Sequence, residues 1–195
     1  MSADLPFRCE CGAVPGAIHD AGPDKGDHVV CHCTDCQNFA RRFGKADRIL
    51  DENAGTALYQ SRCSSLEIRE GLDNLRCLHL TEKPTLRWYT RCCETPMFNT
   101  YRNGRIPYVT TLVGNADPIA REALGPPLGH LFPADAPGDT SDLEPLSMGR
   151  LMWRATIRMA KDVLSGARRR SPLFDADRLE PVAKPERANA RGLAT

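Results

Sequence analysis

With 195 residues, the chain has the size of one domain and is too short for two of ordinary dimensions. Its 26 Lys and Arg against 25 Asp and Glu leave a formal net charge of +1, which excludes a polyanion binder driven by overall charge and makes nucleic acid an unlikely partner. The opening MSADLPFRCECG carries no basic segment followed by an apolar one, and no apolar run is long enough to span a bilayer; the expectation is a cytoplasmic protein without a transmembrane segment, its cysteines kept as thiols.

Residues 5–115 read as short extended segments broken by Gly, Pro, Asn and Asp, the signature of antiparallel β structure. Strands are expected at His28 to Cys33, Ala57 to Gln60, Ser65 to Arg69, Leu75 to Leu80, Leu86 to Tyr89, Pro96 to Tyr101 and Pro107 to Val113. A short helix is expected from Thr34 or Asp35, either of which could cap it, towards Phe43, with Gly44 ending it. After a Pro- and Gly-rich loop, Leu151, Met152, Ala155, Met159 and Val163 recur at helical spacing. Ser141 or Ser147 could start this second helix and Gly166 could end it. From Arg168 onward an irregular tail is expected, partly draped over the domain and frayed at its end. This divides the chain into a zinc-binding β domain over 1–125 and, over 126–195, a loop, amphipathic helix and tail packed on the same domain.

Seven of the nine cysteines cluster as Cys9-x-Cys11, Cys31-x-Cys33-x-x-Cys36 and Cys92-Cys93. Short-spaced thiols drawn from separate parts of a chain are the usual donors of a zinc site. On an extended strand, residues i and i+2 share a face, so each C-x-C could present both sulfurs to one ion. Cys33-x-x-Cys36 lacks the βαβ context of a redox pair, and Cys31 beside it fits a metal better. Seven donors suggest a closed four-sulfur zinc and a three-sulfur zinc with an open position. Cys92 and Cys93 point to opposite faces if extended, so they share an ion only where the backbone kinks; a four-sulfur site of Cys9, Cys11, Cys92 and Cys93 and a three-cysteine or degraded site both stand open. Cys63 and Cys77 read as buried small hydrophobes. His32, lying between two ligands, is expected to point away from the metal, and His28, His79 and His130 read as isolated.

Cys9-Glu10-Cys11-Gly12, then Cys31-His32-Cys33-Thr34-Asp35-Cys36, then Arg87-Trp88-Tyr89 leading to Cys93-Glu94-Thr95-Pro96-Met97, resembles the glutathione-dependent formaldehyde-activating enzyme family, which includes centromere protein V. The resemblance covers about residues 5–115. It implies a β-tent fold of antiparallel sheets, with an outer zinc on Cys9, Cys11 and a late C-x-x-C, and an inner zinc on Cys31, Cys33 and Cys36. The late motif departs from the family's pattern, since Thr90 stands at its first cysteine and Glu94 at its glycine. The implied function is that of a zinc-dependent carbon-sulfur lyase acting on a thiol-aldehyde adduct, the thiol being glutathione or a similar small molecule.

The alternative is a non-catalytic, zinc-stabilised interaction module that uses its basic C-terminal helix. Between Arg150 and Arg170 seven cations face one acid, a net +6. Arg150, Arg154, Arg158 and Lys161 form a stripe opposite the apolar positions. That stripe is expected to be a solvated face, or else a contact for an anionic partner such as a phosphate backbone or membrane surface.

Overall fold

The computed structural model describes residues 3–188; the expected fraying of the last segment lies outside them. In chain order the elements are β1 (Ala3–Arg8), β2 (Pro15–Ala21), β3 (Asp27–Cys31), α1 (Thr34–Arg42), α2 (Ala46–Ile49), β4 (Thr56–Arg62), β5 (Leu66–Ile68), β6 (Leu75–His79), β7 (Thr85–Thr90), β8 (Pro96–Tyr101), β9 (Tyr108–Leu112), β10 (His130–Leu131), α3 (Met148–Leu164) and β11 (Glu186–Arg187). A small sheet has the order β1-β2-β5, and a large one the order β10-β3-β4-β9-β8-β7-β6-β11; neither closes on itself. Pairing is antiparallel except where the two short edge strands, β10 and β11, run parallel to β3 and β6.

This is the mainly β, antiparallel architecture with a C-terminal helix that the sequence predicts, and all seven expected strands are present with ends shifted by at most two residues. β1 and β2 were not foreseen. β2, PGAIHDA, has almost none of the β-branched or aromatic residues that mark a strand, and β1 contains Pro6. Proline is tolerated there because β1 is an edge strand, whose outer face needs no ladder donor.

The main core lies between the two sheets, where Leu5, Phe7 and Ile18 pack with Trp88, Phe98 and Val109. A second core holds the helices on the large sheet through Ala40, Ile49 and Leu151 against Val29, Leu58 and Leu112. The tail contributes to the first core rather than merely covering it. Leu173 and Phe174 are buried, and the Phe174 ring stands edge-on to Trp88 at 6.1 Å.

α3 starts at Ser147, whose hydroxyl accepts from the Arg150 amide, and Gly166 follows it at φ +72°, as expected of a helix terminator. Its faces, however, are not those that periodicity predicts. Leu151 and Ala155 are buried, but Met152 and Val163 are 54% and 39% exposed. Half of the basic stripe turns inward: Arg154 Nε donates to Asp27 Oδ1 at 2.6 Å, and Arg158 pairs with Asp27 Oδ2. Further along, Asp162 accepts from Arg62 Nη1 at 2.7 Å. Asp27 and Asp162 are both fully buried, and a buried carboxylate holds its charge only beside a cation, so these pairs orient the helix. Asp27→Ala is expected to lower stability by about 3 kcal/mol, because it leaves Arg154 and Arg158 facing a buried, uncharged position. Urea unfolding should show this as a lower midpoint at unchanged slope, with Arg150→Ala close to the parent.

Candidate metal centres

The first C-x-C lies in the turn that leaves β1, not on the strand itself. Gly12 takes φ +80°, and the turn closes through Gly12 N donating to Cys9 O at 3.0 Å. Val14 N donates to the Cys9 sulfur at 3.3 Å. Across the sheets, β7 ends at Thr90 and a turn carries Cys92 and Cys93 before β8, with Glu94 at φ +54°. This turn is the kink that lets adjacent cysteines face one point. The sulfurs of Cys9, Cys11, Cys92 and Cys93 all lie within 4.8 Å of one another. Individual separations are 3.6 Å for Cys9 and Cys11, 3.4 Å for Cys11 and Cys92, 4.0 Å for Cys9 and Cys92, and 3.8 Å for Cys92 and Cys93. Tetrahedral metal–sulfur bonds of about 2.3 Å place neighbouring sulfurs about 3.8 Å apart, so the four fit one ion.

Two threonines fix the state of Cys93. Thr90 Oγ1 accepts from Thr95 N at 3.2 Å, and Thr95 Oγ1 accepts from Glu10 N at 3.1 Å. With backbone donors already in place, both hydroxyls are left to donate to the Cys93 sulfur, at 3.3 and 3.1 Å. Burial works against ionisation, but these hydroxyls outweigh it and bring the thiol down to about 5. Burial pushes Cys9, by contrast, up to about 12. Thr90 is thus no ligand itself but supports the sulfur of Cys93.

The second group forms where β3 turns into α1. Cys31 ends the strand, His32 N donates to Leu131 O of β10 at 3.0 Å, and Cys33 itself stands at the N-cap of α1, one residue before the expected Thr34. The strand predicted to reach Cys33 therefore stops at Cys31, where its pairing with β4 ends at Thr56 and the chain turns into α1. Cys36 N donates to Cys33 O at 2.9 Å, and this first turn brings the three sulfurs together within 4.8 Å. Packing against one another and burial push the thiols of Cys31 and Cys33 up, and the third is held down. The thiols of Cys31 and Cys33 hydrogen-bond to Cys36 and, with the Arg87 guanidinium, hold it well below the ordinary thiol range.

Arg87, which the sequence places only within an expected strand, is the principal residue whose role sequence reading missed. It is 6% exposed, donates from Nη1 to the Cys36 sulfur at 3.4 Å and to Asn99 Oδ1 at 2.9 Å, and lies over the Phe39 ring at 5.7 Å. The available signal was a lone cation inside the otherwise apolar Leu86-Arg87-Trp88. His32 and His130 are also not isolated. His32 is fully buried, with Nδ1 2.9 Å from Asn53 O and Nε2 2.9 Å from His130 Nδ1. Gly55 makes room for this pair, since a Cβ there would lie 2.7 Å from the His32 ring. His32 thus points away from the sulfurs, as expected, and its ring is paired with the half-buried His130 and not turned to solvent. Cys63 and Cys77 are buried in the core and belong to neither group.

Two antiparallel sheets that gather seven thiols into a four-sulfur and a three-sulfur group define a β protein equipped to hold metal ions. The chain belongs to the family described as a family of unknown function, DUF6151, which it matches over residues 1–186. It is also similar to a Rhodobacter sphaeroides protein of known crystal structure, with 21% identity, 62% of this chain and 95% of that one covered, and a TM-score of 0.43. No curated protein matches it.

Ligand thiols must be deprotonated to bind metal. Cys93 is ionised at neutral pH while Cys9 keeps its proton, so metal affinity at the four-sulfur group should fall as pH falls, by about tenfold per unit for each proton displaced. Thr90→Val with Thr95→Val should weaken that group by about 10–100-fold and leave the three-sulfur group unchanged. Chelator competition with a thiophilic divalent ion checks both expectations.

Proposed function

We propose that the chain is a zinc-dependent enzyme of the carbon-sulfur lyase type, acting on the adduct of an aldehyde with a small, glutathione-like thiol. In this reading Cys9, Cys11, Cys92 and Cys93 hold a closed structural zinc, and Cys31, Cys33 and Cys36 hold the zinc at which chemistry takes place. The observation that carries it is the unequal sulfur count: four donors saturate a tetrahedral ion, whereas three leave one position for a substrate atom. The motif resemblance to glutathione-dependent formaldehyde-activating enzymes supports the choice of reaction.

A zinc ion at the three-sulfur group would supply the positive charge that keeps an incoming thiol ionised at neutral pH. The chain's own residues set the rest. Cys31 and Cys36 are buried and Cys33 is half-buried, so access is from the Cys33 side, with Arg87 behind Cys36. In the forward direction the thiol sulfur bonds to the carbonyl carbon and the thiol proton ends on the carbonyl oxygen, so no oxidant or reductant is required. One observation favours the alternative of an inert, zinc-stabilised module: both His32 ring nitrogens are engaged by Asn53 and His130, which leaves that histidine poorly placed to move the proton.

Native mass spectrometry should count two zinc ions in the parent and one in Cys33→Ala, with the folded circular dichroism spectrum retained. The parent should also accelerate loss of formaldehyde in the presence of glutathione, and Cys33→Ala should fall to the uncatalysed rate. Two bound zinc ions without acceleration would leave the inert module as the reading, and equal turnover in Cys33→Ala would remove the three-sulfur group from the chemistry.

A further inference from the structure

Half of the large hydrophobic side chains exposed among the described residues belong to one helix, α3, where Trp153 is 68% and Leu164 87% exposed. At 100° per residue, Met152, Trp153, Ile157, Val163 and Leu164, with the small Thr156 and Ala160, occupy an arc of about 140° opposite the buried Leu151, Ala155 and Asp162. No charged residue falls within that arc. Arg150 and Lys161, both exposed, border one edge, and Arg168, Arg169 and Arg170 follow the helix after Gly166. The remaining charges of α3 are spent inward, Arg154 and Arg158 on Asp27 and Asp162 on Arg62. The exposed charge left on α3 itself, Arg150 and Lys161, is thus cationic alone. These inward pairs also pin the helix along its length, so that its outer face presents an apolar strip about 18 Å long between Met152 and Leu164.

We propose that this strip docks the protein on an anionic lipid bilayer, its apolar side chains entering the boundary between headgroups and acyl chains and its rim cations meeting lipid phosphates. An apolar helix face carrying Trp, flanked by Lys and Arg, is the chemistry of an interfacial helix. No helix of the described residues is long and apolar enough to cross a membrane, so the seating is on the surface. The charges disfavour a second copy of the chain as the occupant. An antiparallel two-fold pairing of α3 would set the basic edge against itself, and a parallel one would gather both clusters of Arg168, Arg169 and Arg170 at the same end. A lipid surface supplies the opposite charge to all of these cations together.

The test is co-sedimentation of the full chain with vesicles of phosphatidylcholine alone or mixed with phosphatidylserine. Binding is expected only with phosphatidylserine present, weakening as salt rises, together with a blue shift of tryptophan emission. Trp153→Phe should abolish the shift, since the remaining Trp88 is buried in the core. Arg150→Gln and Lys161→Gln should each reduce partitioning about fivefold at low salt, and Ile157→Asp should remove it. All four side chains are exposed, so thermal unfolding should stay at the parent's temperature. Failure of the parent to bind phosphatidylserine vesicles, or binding indifferent to Ile157→Asp, would overturn the proposal. So would a dimer, seen by analytical ultracentrifugation, that Ile157→Asp dissociates.

Discussion

A guanidinium taken out of water needs an anion beside it, and the arrangement around Arg87 turns on that need. Among the described residues no carboxylate lies within salt-bridge reach of Arg87. Its contacts are the Cys36 sulfur and the amide oxygen of Asn99, and of these only the sulfur can carry charge. The three thiols have the converse problem. Two unit charges about 4 Å apart repel by about 4 kcal/mol in a protein-like medium, so three thiolates packed together need compensating cations. A divalent ion held by three thiolates would have a net charge of −1, which Arg87 would cancel. Strand β7 and helix α1 are thereby coupled electrically as well as by the packing of Phe39 under the guanidinium.

The four-sulfur group solves the same problem differently. Among the described residues no cation hydrogen-bonds to its sulfurs. Two of its cysteines, Cys11 and Cys92, are exposed, so solvent screens part of the charge, and the more enclosed Cys93 is supported by neutral hydroxyls. Its cysteines come from the exit of β1 and the β7–β8 turn, so an ion there would tie the small sheet to the large one. At the other group the ligands lie within six residues of one another, and the fold around them is already closed by β10 and α1. Loss of metal would therefore loosen the contact between sheets in the first case, but only one turn of chain in the second.

What could be read from the sequence divides along the same line between local and distant contacts. The trio of Cys31, Cys33 and Cys36 was legible because a strand exit followed by a helical turn brings those positions together whatever surrounds them. Cys92 and Cys93 were legible only as a condition, that the backbone kink. Thr90 looked like a lost ligand because its hydroxyl partner Thr95 and the Glu10 amide, 85 residues from Thr95 in sequence, become neighbours only in the fold. Arg87, and the pairing of His32 with His130, were hidden for the same reason: nothing near either residue in the chain names its partner. β1 and β2 were missed because the small sheet is held by pairing and by the core beneath it more than by strand-forming residues.

The helix α3 shows how far a distant partner can override periodicity. Its hydrophobic positions do not form a single inward stripe, and the sequence alone would turn Arg154 and Arg158 to solvent. Asp27 reverses this, because a fully buried carboxylate on β3 has to find cations, and the helix crossing that strand supplies two. Replacing such an ion cluster with well-packed apolar groups is commonly neutral or stabilising, so folding alone does not demand this orientation. An inward apolar face was available in Met152, Trp153, Ile157 and Leu164, and the structure turns it outward. Exposed apolar surface of this extent is otherwise a liability for aggregation, and its confinement to one strip of a helix whose own exposed charges are cations is the pattern of a surface meant to be covered.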